Sequence, residues 1–186
     1  GIPVDMIGGS SMGAPIALLC AMGCSADQAS AIAERSFRSL RDYTFPLVSL
    51  LAGRRITRAI DATCPGWDIE DLWLPYYCVS TDITAGRAVR HRRGSLARAV
   101  RASVAIPGVL PPVAEGESLL VDGGVLNNLP IDAMREINPA GFVIAVDVLS
   151  PRGPRAKGDY GLAVSGWRQL LRALNPLAKR ITVPGL

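Results

Sequence analysis

Gly8-Gly9-Ser10-Ser11-Met12-Gly13 decides how this chain folds. A short apolar run, Val4 to Ile7, precedes it, and a longer one, Ala14 to Met22, follows it. A strand, a glycine-flanked serine and a helix form a nucleophile elbow, whose sharp turn lifts a serine hydroxyl above the end of a sheet. The frame G-x-S-x-G falls on Gly9-Ser10-Ser11-Met12-Gly13, so Ser11 rather than Ser10 is the candidate nucleophile. Glycines are expected at Gly9 and Gly13 because a side chain there would collide with the neighbouring strand or helix. The same turn places the Met12 N–H at a helix N-terminus, where it can face a developing oxyanion.

Composition bounds what this elbow can belong to. With 186 residues, 49% hydrophobic and 19% charged, the chain is long and apolar enough for a globular domain with a sizeable core. No apolar run approaches the roughly 20 residues of a spanning helix. The start, Gly1-Ile2-Pro3-Val4-Asp5, lacks the basic n-region of a signal peptide and an initiator Met, and so reads as part of something longer. The net charge is +4, nearly all the positive charge is arginine, and a basic segment holds Arg87, Arg90, Arg92, Arg93, Arg98 and Arg101. No nucleic-acid-binding motif accompanies these arginines, so they read as a solvated basic face, with anionic lipid as a secondary option. Cys20, Cys24, Cys64 and Cys78 complete no zinc-ligand pattern and read as reduced thiols of a cytoplasmic protein.

Strand and helix signals alternate along the chain. Helices are expected at Ser11–Met22, Ala26–Leu40 capped by Ser25, Arg54–Thr63, Ser95–Ala102 and Pro130–Ile137. Strands are expected at Val4–Ile7, Trp73–Ser80, Arg87–His91, Ser118–Val121 and Phe142–Val148, the last buried on both faces. Val104–Val113, with Pro107, Pro111 and Pro112, cannot be regular. Pro151–Gly158 reads as a polar linker and Trp167–Leu174 as a short amphipathic helix. The pattern is that of an α/β layered fold with a mainly parallel sheet.

A serine needs a base to become nucleophilic. The single histidine, His91, lies among Arg90, Arg92 and Arg93, which disfavour its protonated form and weaken it as a proton acceptor. The alternative is a carboxylate. Asp122 ends the strand Ser118–Val121 and precedes Gly123-Gly124, which let the backbone turn and leave room beside it. In open α/β sheets the site lies at the carboxyl ends of the strands, which puts Asp122 and Ser11 at one edge. Asp147 and Asp82 are the runners-up.

With these residues in hand, the chain resembles the patatin-like phospholipase family, in its neuropathy-target-esterase branch. The resemblance runs from the elbow Gly9–Gly13 through Asp71–Tyr77, Ser80–Thr84 and Arg101–Gly108 with Pro111-Pro112. It continues in Val121-Asp122-Gly123-Gly124-Val125-Leu126-Asn127-Asn128-Leu129-Pro130 and the tail from Asp159 to Pro176. It implies a three-layer α/β/α fold and a Ser-Asp dyad without histidine, metal or cofactor. Ser11 would be the nucleophile, Asp122 the base, and phospholipid or lysophospholipid the substrate. It also implies a single patatin-like domain over residues 1–186, lacking the family's first strand with its G-G-G-x-R-G oxyanion loop and incomplete at the C-terminus. On that expectation the isolated chain is nearly inactive and aggregation-prone.

An acyl substrate calls for an apolar groove, for which Pro46–Leu51 and Ile106–Val113 are candidates, and for peripheral contact with a membrane at its inner face. Trp167, Leu170, Leu171 and Leu174 could supply that contact or dock on the core. The competing functions are a small-ester carboxylesterase or acyltransferase on the same dyad, and a non-catalytic lipid-binding module.

Overall fold

Tyr76–Asp82 is a strand (β2) in which every residue is buried, and the rest of the fold is laid around it. A computed structural model of the chain describes residues 2–38 and 48–148. In chain order the other elements are β1 (Ile7–Ser10), α1 (Gly13–Ala21), α2 (Ala26–Arg38), α3 (Arg54–Thr63), β3 (Arg87–His91), α4 (Leu96–Ser103), β4 (Val113–Glu115), β5 (Ser118–Asp122) and α5 (Ile131–Ile137). Short 3-10 turns occupy Ile69–Asp71 and Gly123–Val125. The chain divides into two compact units, Gly1–Ala145 and Val146–Leu186, and these elements all lie in the first. The described part of the second, 146–148, has no regular secondary structure.

The register explains how remote parts of the sequence meet. β1 pairs in parallel with β2 from Ile7 opposite Tyr76 to Ser10 opposite Val79. β5 pairs antiparallel with β2, with Asp122 opposite Ser80 and Leu120 opposite Asp82. β3 takes Cys78 to Asp82 of the same strand. A strand has only two edges, and β3 overlaps the stretches paired by both β1 and β5. Those two therefore share the other edge of β2, running toward each other and ending at the adjacent positions Val79 and Ser80. β4 extends the sheet beyond β5.

Successive residues of β2 point to opposite faces. Tyr76 and Cys78 enter the larger core with Ala14, Leu18, Ile60, Leu96 and Val100 of α1, α3 and α4. Tyr77 and Val79 meet Ala133, Met134 and Ile137 of α5 on the other face. The two tyrosines pin the layers: the Tyr76 hydroxyl donates to the Ala14 carbonyl at 3.0 Å and the Tyr77 hydroxyl to the Pro130 carbonyl at 2.9 Å. Burying an aliphatic side chain such as Val79 or Leu96 contributes about 1.5–3 kcal/mol. Local signals agree with these elements. The Ser25 hydroxyl accepts from the Gln28 N–H, and the Gln28 side chain accepts from the Ser25 N–H, closing a capping box on α2. The Ser95 hydroxyl caps α4 through the Arg98 N–H.

The α/β/α layering agrees with the expected fold class, with four corrections. The sheet is mixed rather than mainly parallel: among the described residues β1 and β2 are parallel and the other pairings antiparallel. Short buried runs do not reveal strand direction. The first strand is Ile7–Ser10, not Val4–Ile7, because the glycines let the backbone lie against β2; a side chain at Gly8 would overlap the Tyr77 ring. The middle strand begins at Tyr76, leaving Trp73 94% exposed. Phe142–Val148 pairs with no strand among the described residues, and Phe142 is 94% exposed. Its β-branched residues supply strand propensity, but a strand buried on both faces needs covering neighbours. The proposed linker at Pro151–Gly158, the helix at Trp167–Leu174 and part of the Pro46–Leu51 groove lie outside the described residues.

Candidate active site

Ser11 stands where β1 ends. Its φ is 53°, in the left-handed region, and it is the sole described non-glycine residue with positive φ. That conformation costs a non-glycine residue on the order of 1–3 kcal/mol and is held only where surrounding structure enforces it. The enforcement is visible. The Ser11 carbonyl accepts from the Ala14 N–H at 3.0 Å, folding the chain directly into α1. The Ser11 N–H donates to the Ser103 hydroxyl at 3.1 Å, and that hydroxyl donates to the Val79 carbonyl at 2.6 Å. Ser103 is fully buried at the end of α4.

Of the two glycines of the elbow, one has the expected steric role. A side chain at Gly9 would run into the backbone of Gly13 and Ala14. A side chain at Gly13 would meet nothing within 4 Å, so the described chain does not require glycine there. Gly13 is the first residue of α1, where its Cβ position points into open space.

Asp122 arrives from the opposite direction along β5. Its Oδ2 accepts from the Ser11 hydroxyl at 2.6 Å, and its Oδ1 accepts from the Gly124 N–H at 2.7 Å. Its own N–H donates to the Ala105 carbonyl at 2.9 Å, which ties the strand end to the turn after α4. One carboxylate oxygen thus caps the turn Gly123–Val125 while the other faces the serine. Both glycines are tightly placed. A side chain at Gly123 would strike the Val79 carbonyl, and one at Gly124 would lie 2.9 Å from the Asn128 Oδ1 and 3.0 Å from the Asp122 Oδ1. Asp122 is 5% exposed, and burial raises its carboxyl above the ordinary value, against the lowering pull of the Ser11 and Gly124 hydrogen bonds.

The other candidate bases sit elsewhere. His91 Nε2 lies 2.7 Å from the Ser80 hydroxyl. Burial lowers its pKa, partly offset by Glu115, so the direction matches expectation but the cause is desolvation rather than the flanking arginines. Asp82 is buried and accepts from the Thr84 and Ala85 N–H groups and the Ser118 hydroxyl, which occupies it as a turn anchor. Asp147 is exposed, in a stretch without regular secondary structure. Met12 is the N-cap residue of α1. Among the described residues no group of three or more His, Cys, Asp or Glu side chains is arranged to hold a metal. The four cysteines are free, and burial pushes the thiols of Cys64 and Cys78 up to about 11 and about 12.

Ser103 is the site residue that sequence reasoning missed. It lies in the stretch Arg101–Gly108, noted for its resemblance alone; its distance of 92 positions from Ser11 hides the contact.

The chain is similar to several known proteins. Residues 1–135 match the patatin family model, described as patatin-like phospholipase. The chain is 40% identical to human patatin-like phospholipase domain-containing protein 6, over 100% of this chain and 14% of that protein. It is 38% identical to neuropathy target esterase sws of Drosophila melanogaster, over 100% of this chain and 14% of that one. It is 39% identical to lysophospholipase NTE1 of Meyerozyma guilliermondii, over 100% of this chain and 13% of that one. The chain therefore corresponds to about one seventh of the length of these relatives. With a family model matched over residues 1–135 and relatives about 40% identical across the whole chain, the chain belongs to the patatin-like phospholipase family.

Proposed function

We propose that this chain is a serine acyl-ester hydrolase of the lysophospholipase or phospholipase A type. The observation that carries the reading is the 2.6 Å hydrogen bond from the Ser11 hydroxyl to Asp122 Oδ2. In the proposed reaction Asp122 takes the hydroxyl proton as the Ser11 oxygen attacks the ester carbonyl. The Met12 N–H donates to the oxyanion that develops. The tetrahedral intermediate collapses, and the proton passes from Asp122 to the leaving alkoxide, releasing the lysophospholipid or glycerophosphoryl alcohol. Water then attacks the acyl-enzyme with Asp122 again as base, freeing the fatty acid and regenerating Ser11. The family match and the name of the related lysophospholipase support a lipid-ester substrate.

The four free thiols support a reducing, cytoplasmic setting, and a phospholipid substrate implies contact with a membrane surface. No described helix is long and apolar enough to cross a membrane.

Fluorophosphonate labelling read by intact mass tests the reading, on the chain and on Ser11→Ala, each alone and joined to an upstream G-G-G-x-R-G strand of the family type. One adduct that disappears in Ser11→Ala is the expected result. A folded, joined protein that takes no label would transfer the assignment to a non-catalytic lipid-binding module.

A further inference from the structure

Behind the elbow, helices α1, α2, α3 and α4 enclose an apolar cavity of about 80 Å³. Two of its lining residues adjoin the site in sequence: Met12 follows Ser11, and Val104 follows Ser103, whose hydroxyl holds the Ser11 N–H. Met12 and Ile16 are exposed, so the cavity reaches the surface at the start of α1. Among the described residues Thr63 is its sole polar lining side chain, and the Thr63 hydroxyl is spent on the Ala59 carbonyl at 2.8 Å. A water needs roughly 10–15 Å³ of such space and several polar partners. Room is present here but the described lining offers no free polar partners, so the space favours an apolar occupant over water.

The cavity also has a built-in limit. Leu19, Ile32, Ala59 and Thr63 line both it and a wider neighbouring groove of about 750 Å³ that carries Arg35, Arg55 and Arg58. A hydrocarbon chain entering at Met12 would stay in apolar surroundings until it reached this wall, beyond which lies a cationic groove.

We propose that this cavity is the acyl-chain pocket of the site and that the wall at Ala59 sets the longest acyl chain it accepts. The proposal rests on the hydrolase reading above and adds to it where the acyl group lies and what ends it. The occupant is the fatty-acyl part of the ester, because the exposed lining residues Met12 and Ile16 lie at the start of α1, which follows directly on the residue that would carry the acyl group.

The test uses the full chain, with saturated fatty acids of increasing length displacing a fluorescent polyene fatty acid, and the chain joined to an upstream G-G-G-x-R-G strand for turnover of p-nitrophenyl esters of the same lengths. Each added methylene is expected to tighten binding about fourfold until a limit is reached. Ala59→Trp should move that limit to shorter chains, with a kcat/KM loss that grows from acetate to decanoate. Ile56→Ala, which enlarges the cavity without filling it, should move the limit to longer chains and covers the case in which the tryptophan variant does not fold. The same chain-length profile in the wild type and both folded variants would overturn the pocket. Chain-length-dependent binding that shifts in both variants, while the folded chain joined to an upstream G-G-G-x-R-G strand cleaves no ester, would uphold the pocket and defeat the hydrolase reading, so the two failures are distinguishable.

Discussion

The Ser103 hydroxyl accepts a hydrogen bond from the Ser11 N–H at 3.1 Å and donates one to the Val79 carbonyl at 2.6 Å, joining the elbow to the central strand. Removing it leaves a part-buried N–H and a buried carbonyl without that partner. Ser103→Ala should destabilise the fold by about 1–3 kcal/mol. It should also lower kcat by up to about 100-fold through misplacement of the nucleophile, with KM nearly unchanged. Ser103→Thr, which keeps the hydroxyl, should recover most of kcat if the added methyl fits. A kcat unchanged in a folded Ser103→Ala protein would reduce the residue to packing.

Asp122 must be ionised to accept a proton, and burial raises its pKa above the ordinary 3.8. Activity should therefore fall on acidification with a midpoint above the usual carboxylate range. The stability contribution has the opposite sense. The folded chain keeps this proton at pH values where the unfolded chain has lost it, so stability declines as pH rises from the unfolded to the folded value. Asp122→Asn should cost about 10²–10⁴ in rate while leaving the protein at least as stable at neutral pH. A pH–rate profile and thermal melts of the two proteins check both halves.

Asp82 behaves in the reverse way. The Ser118 hydroxyl, then the Ala85 and Thr84 N–H groups and Arg87, hold its carboxyl below 3.8 against the effect of burial. Its contribution to stability is fully present above the unfolded value and disappears as pH falls through the lower folded one. Asp82→Asn should therefore lower the melting temperature at neutral pH and flatten its decline below about pH 4. An unchanged acid limb would mean that other carboxylates carry the acid sensitivity.

Why Ser11 and Asp122 were legible, and Ser103 was not, follows from what each signal encodes. An elbow is a local event: strand, strained serine and helix occupy neighbouring positions, and Gly9 reports the close approach of the turn to Gly13. Asp122 carries its own local mark, because a strand-ending Asp followed by Gly123-Gly124 must turn. The contact between them depends on β1 and β5 meeting end to end on β2, which follows from strand directions that short buried runs do not encode. Ser103 has no local mark, since a serine ending a helix is unremarkable until another segment's N–H reaches it. Phe142–Val148 failed for the converse reason. Its composition suits a strand, but no described strand pairs with it.

The two glycines of G-x-S-x-G should respond differently to substitution. Gly9→Ala places a methyl group against the backbone of Gly13 and Ala14, which no side-chain rotation can relieve, and should unfold the elbow or abolish expression of soluble protein. Gly13→Ala meets open space at the first position of α1 and should preserve or raise the melting temperature by helix propensity. Comparable damage from both substitutions would show that something besides the described residues packs against Gly13.

The left-handed backbone of Ser11 yields a prediction that separates strain from chemistry. Ser11→Ala and Ser11→Gly both remove the hydroxyl and its hydrogen bond to Asp122, so both should abolish turnover, and in both the Asp122 carboxyl should rise further. They differ in one respect. Alanine keeps a Cβ in the left-handed region and retains the strain, which is about 1–2 kcal/mol for a non-glycine residue. Glycine relieves it, at the cost of greater freedom in the unfolded chain, and at positive φ the relief is the larger effect. The net gain is about 1 kcal/mol, so Ser11→Gly should melt roughly 2–4 °C above Ser11→Ala in a chain of this size. A difference in that direction would show that the fold spends stability to hold the serine out of the sheet. Equal melting temperatures would mean that the turn is relaxed in solution and that the geometry of the nucleophile depends on the Ser103 and Asp122 hydrogen bonds alone.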